Sequence, residues 1–145
     1  MNEDELSEEE GYLLRAKLHF RCGLRRLEEN KLSEGIATIY DSLIIGMRWF
    51  VLKEMKTRHF ILFNKEDLYK DVNLVSMLQK ENILSTKDID FSKFLITMEL
   101  GLDRDLTKED IVVDDIKNQF MTIMTKLGVW PFELTDLPPE NPERI

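Results

Sequence analysis

The chain has a single cysteine, Cys22, so no disulfide can close within it and no cysteine-based zinc site can form. On a helix it is a small apolar filler. Histidine is nearly as scarce. His19 and His59 are the only two, neither stands in a Glu-x-x-His pair, and no His-Glu-x-x-His occurs. That removes the carboxylate-bridged di-metal site of helical bundles and the helical zinc pattern. The six glycines are dispersed, and without Gly-x-x-x-x-Gly-Lys or Gly-x-Gly-x-x-Gly no loop is left to cradle a nucleotide phosphate. No cofactor and no metal is therefore expected. No apolar run reaches the roughly 18 uninterrupted residues of a membrane span. The segment Met1 to Glu10 is acidic where a signal peptide would be basic and then apolar. A cytoplasmic protein with no membrane partner is expected.

What the 145 residues do contain is apolar surface, at 43% of the composition, and a negative excess of eight charges. The first is enough for one packed core without staples. The second opposes general nucleic-acid binding, which depends on cations that displace counterions from phosphate. Charge is unevenly placed, however. Glu3, Asp4, Glu5, Glu8, Glu9 and Glu10 lead into a stretch with Arg15, Lys17, Arg21, Arg25 and Arg26 and no acid. At helical spacing these cations scatter around the axis, as on a solvated face.

Periodicity predicts helices almost throughout, and no alternating run argues for a sheet. Ser7-Glu8-Glu9-Glu10 is a capping box that starts the first helix, whose stripe is Leu13, Ala16, Phe20, Leu24 and Leu27, ending at about Asn30. A second helix, with Ser33 as its N-cap, runs to about Arg58. Ile36, Ile39, Tyr40, Leu43, Met47 and Phe50 form one side of it; Ile45, Trp49 and Leu52 form the other. A helix apolar on two faces needs cover on both, from a later helix or from a partner. Short helices are predicted around Leu68 to Leu78 and from Asp88 to Gly101, the latter with Phe91, Leu95, Met98 and Leu102 inward. A last helix is predicted from Thr107, its N-cap, to Gly128, with the stripe Val112, Ile116, Phe120, Ile123 and Leu127. Trp130-Pro131-Phe132 should fold back, because two aromatics beside a helix end are costly to leave in water. These elements predict an all-α fold, an up-and-down four-helix bundle with one short additional helix. One domain over 1–137 and a flexible tail over 138–145 are expected.

The candidate sites follow from this layout. Ile45, Trp49 and Leu52 form the candidate partner-binding face, with Trp49 as the kind of anchor that interfaces use. Arg21, Arg25, Arg26, Arg58 and His59 are the candidate phosphate-binding residues, should the fold bring them together. Cys22 and His19 lie one turn apart, but no third group is available to orient a nucleophile and its base, so no catalytic residue is assigned. Asp103, Asp105, Glu109, Asp110, Asp114 and Asp115 lack the oxygen-ligand spacing of a calcium loop and are solvated charge. Met47, Phe50, Met98 and Met124, at helical spacing, are core in preference to a ligand pocket.

A basic helix, a tight break, and then Leu32-Ser33-Glu34-Gly35-Ile36-Ala37-Thr38-Ile39-Tyr40-Asp41-Ser42-Leu43 leading to Trp49 and Phe50 resemble the HEPN family over about the first 60 residues. The resemblance implies an up-and-down four-helix bundle, dimerisation through helices, and either ribonuclease activity or a companion role beside a nucleotidyltransferase. The ribonucleases of that family carry an arginine, a few polar residues and a histidine on a late helix. Here Arg15 and His19 stand too close together on the first helix and Arg58 and His59 are adjacent. The stretch from Thr107 to Leu127 holds neither residue type. The expectation is a non-catalytic interaction module that forms a homodimer or docks on a partner protein such as a nucleotidyltransferase. An RNA- or nucleotide-processing domain using the Arg/His patch is the alternative.

Overall fold

The computed structural model describes residues 7–55, 70–85 and 91–140, and among them the fold is all-α. Helix α1 spans Glu8–Glu28, α2 Leu32–Met55, α3 Asp71–Lys80, α4 Phe91–Asp103 and α5 Val113–Leu127, followed by a short 3₁₀ turn at Leu134–Asp136.

The start of α1 is the predicted capping box. The Ser7 hydroxyl accepts from the Glu10 backbone N–H at 3.1 Å, and three glutamates complement the positive end of the helix. Asn30 ends it at φ +64, a conformation that asparagine tolerates. The chain then reverses into α2. Ser42 Oγ donates to the Ala16 carbonyl at 2.8 Å and Arg26 reaches Thr38 at 2.7 Å, so rising numbers on one helix meet falling numbers on the other and the pair is antiparallel. Two glycines allow its close crossing. A Cβ at Gly23 would come within 2.7 Å of Ile39 Cγ1, and one at Gly35 within 2.8 Å of Leu27 Cδ2.

Helix α2 is the central element, packed against α1, α3, α4 and α5. Ile36, Ile39, Leu43, Met47 and Val51 are fully buried along it. The stretch Leu32–Glu54 is long and apolar enough to cross a membrane, with a mean hydropathy of 1.3, and 67% of it is buried within the fold. The bundle uses it as a core helix. Phe20, Phe120, Ile123, Met124 and Leu127 complete the interior from α1 and α5. Met47, Phe50 and Met124 are core, as their spacing predicts. The predicted fold-back is present: Phe20 stacks on Trp130 at 4.9 Å and meets Phe132 edge-on at 5.2 Å.

Three helix starts and faces differ from expectation. Ser33 does not cap α2, which begins at Leu32; its hydroxyl accepts from the Leu106 N–H at 2.9 Å and donates to the Arg104 carbonyl. Thr107 does not start α5. Asp110 accepts from the Thr107 N–H at 2.7 Å and takes a forked pair of hydrogen bonds from Arg104 at 2.9 and 2.6 Å, which closes a local turn. The β-branched run Ile111-Val112-Val113 then delays the helix to Val113. Helix α4 turns Phe94 inward, and Leu102, on the predicted stripe, is exposed. Glu140 accepts from Arg25 Nε at 2.7 Å.

Candidate functional site

The face predicted to bind a partner is covered from within. Trp49 is only 8% exposed. The Lys53 ammonium lies 4.5 Å from its ring centroid, and the Gly128 turn at the end of α5 is so close that a side chain there would touch the ring at 3.7 Å. Ile45 and Leu52 are half-buried against the same core. Gly128, at φ +81, is the left-handed residue that ends α5.

Two of the three described candidate arginines have partners within the fold. Arg25 is held between Glu29 at 2.9 Å and Glu140 at 2.7 Å, and these two carboxylates keep its guanidinium firmly protonated. Arg26 donates to Thr38 Oγ1, which donates in turn to the Glu34 carbonyl at 2.7 Å. Arg21 is half-buried, and its Nε has no hydrogen-bond partner among the described residues. Arg58 and His59 lie outside the described residues. Cys22 is buried beneath Arg25, 3.8 Å from its guanidinium, and burial pushes the thiol up. His19 is half-buried, and desolvation lowers its pKa, with Arg26 and Arg15 adding to the effect against Asp41. Among the described residues no three of His, Cys, Asp and Glu gather where a metal could sit.

A polar station that the periodicity did not reveal sits where α3 meets α2. Tyr40 donates to Asp71 Oδ2 at 3.0 Å, and Arg48 lies 3.6 Å from Asp71 Oδ1. Burial, then this hydrogen bond, pushes the Tyr40 phenol up to about 12. The arrangement fastens α3 and offers nothing to a substrate.

A further feature lies close by, since the Tyr40 ring stacks on Phe94 of α4 at 6.1 Å. A groove of about 270 Å³ runs between α4 and the start of α5. Phe94 and Ile111, both buried, form its floor, and Thr97, Val112 and Ile116 line it together with Lys93, Glu109, Asp110 and Asp115. Beside it α4 leaves Ile96 65%, Leu100 37% and Leu102 74% exposed, and Val112 is 61% exposed. At 100° per residue Ile96 and Leu100 form one ridge, next to the wall residues Lys93 and Thr97. Its setting is rigid, because Ser33 and the Arg104–Asp110 fork fix the 104–110 loop. Arg104 also holds the Asp110 carboxyl well below the usual carboxylate range. Sequence reasoning missed these residues. The signal was that seven of the thirteen residues of α4 are apolar and fall on two opposite sides of it, Ile96 and Leu100 facing away from the rest, more than one short helix of a small bundle can bury.

No family model, curated protein or solved structure matches the chain.

Proposed function

We propose that this protein is a non-catalytic helical interaction module that docks on a partner protein through the outer face of α4. The observation that supports the reading is the ridge of Ile96 and Leu100 beside the groove floored by Phe94 and Ile111. Exposed apolar side chains grouped on one helix next to a concavity are a common basis of recognition. Of the described candidates for chemistry, Arg25 and Arg26 have internal partners and Cys22 is buried. A nucleotidyltransferase is the partner class that the HEPN resemblance of α1 and α2 would add. The partner face proposed here is α4, in place of Ile45, Trp49 and Leu52.

The test uses the full chain and the double variant Ile96→Glu/Leu100→Glu as paired baits in extract from the source cell. A protein held by the wild type, lost from the variant and shown to bind directly when purified is the expected result. Equal retention by both baits would move the interface away from α4, and a chain that binds no protein would end the reading.

A further inference from the structure

The surroundings of the α4 groove carry a charge pattern that identifies the chemistry of its occupant. From Lys93 to Asp115, Arg104 is taken up by Asp110. Around that pair stand Glu99, Asp103, Asp105, Glu109, Asp114 and Asp115 against Lys93 and Lys108. At 100° per residue, Glu99 and Asp103 lie beside Ile96 on the side away from the groove, and Glu109 and Asp115 line the groove together with Lys93. The apolar ridge thus has carboxylates on both sides and one lysine between.

Resting on the reading of α4 as a docking face, we infer that the occupant is a cationic amphipathic helix of another protein, with aliphatic or aromatic anchors flanked by lysine or arginine. Each alternative conflicts with the charges. A nucleic acid or an anionic lipid surface would bring negative charge against a surface on which acids already outnumber lysines. A second copy related by a twofold axis would set the same acidic frame against itself. A basic helix places positive charge opposite the frame. Its apolar residues, repeating at three and four positions, would lie along the Ile96–Leu100 ridge, with one anchor in the groove above Phe94 and Ile111. Helix α4, at thirteen residues, extends for about 20 Å, enough for three or four turns of a partner helix.

The experiment titrates the full-length, ¹⁵N-labelled chain with three synthetic helical peptides that share the same leucine anchors and carry lysine, glutamine or glutamate between them. The lysine peptide is expected to shift amide resonances of residues 93–100 and 111–116. Its affinity should fall about tenfold or more between low and moderately high salt, and Glu109→Lys/Asp115→Lys should abolish it. The amide spectrum of each variant reports whether it is folded, and Ile96→Ser provides a milder second variant that should weaken binding without altering charge. Should the glutamine peptide bind equally well at the same resonances, the docking face stands and the cationic partner is overturned. Shifts confined to other helices, or none with any peptide, would overturn both.

Discussion

Helices α2 and α4 are built from similarly apolar sequence, yet they end in opposite situations. Around α2 stand α1, α3, α4 and α5, so both of its apolar faces are covered, including the one that carries Trp49. Helix α4 packs chiefly against α2, which covers Phe94 and leaves Ile96, Leu100 and Leu102 outside. Composition sets how much apolar surface a helix has. Its neighbours decide how much is left for a partner.

The sharpest way to break the comparison is Trp49→Asp. With the ring under Gly128 and Lys53, aspartate would empty the space that the ring fills and bring a carboxylate into the core with only the Lys53 ammonium to meet it, and the variant is expected not to fold, as read by circular dichroism. A folded monomer with intact helicity would return the interface to α2. Next comes Phe20→Ala, which removes a fully buried ring in contact with Phe120, Trp130 and Phe132. Urea unfolding should show a loss of about 4 kcal/mol.

Gly23→Ala is expected to destabilise by about 1–3 kcal/mol, because its Cβ would meet Ile39 Cγ1 at 2.7 Å. The helix-propensity gain of about 1 kcal/mol acts in the opposite sense, so a stabilised variant would show that the hairpin crossing is looser than described. On α4 the sign of the comparison reverses. Ile96→Glu/Leu100→Glu should leave the unfolding midpoint within about 0.5 kcal/mol of wild type, and a loss of several times that would mean the ridge is core. The smallest effect concerns pH. Asp110 titrates below the ordinary carboxylate pKa in the fold, so the stability it contributes is present above about pH 4 and is lost as pH falls below that value toward the depressed pKa of the fold. Asp110→Asn should flatten this acid limb, and an unchanged acid limb would remove the Arg104 fork from the account.

The fold was legible where one residue type served one purpose. Ser7 before three glutamates, the stripe through Ala16, Phe20 and Leu27, and Gly128 after Leu127 each admit one physical reading, and each is present. Legibility failed where a competing partner lay far away in the chain. Nothing near Ser33 discloses that its hydroxyl serves the loop at 104–106, and Thr107 looks like an N-cap until Asp110 is seen to be held by Arg104. On α4 the failure had another cause. A helix with apolar residues on two opposite sides fits more than one inward face, and the stripe through Leu95 and Leu102 was as regular as the one through Phe94. The candidate site followed the same rule: Trp49 was visible as an anchor, but only the packing of α5 shows what it anchors to.

The cluster of four rings centred on Phe20 also has a consequence in time. Its first member is made early, on α1, and Trp130 and Phe132 follow only after α5 has been made. Until then the hairpin of α1 and α2 can close along its glycines, but the half of its apolar surface that awaits α5 and the returning aromatics has nothing native to touch. Until these residues arrive the nascent chain therefore displays a greasy helical pair, the kind of transient surface on which aggregation begins and to which chaperones bind.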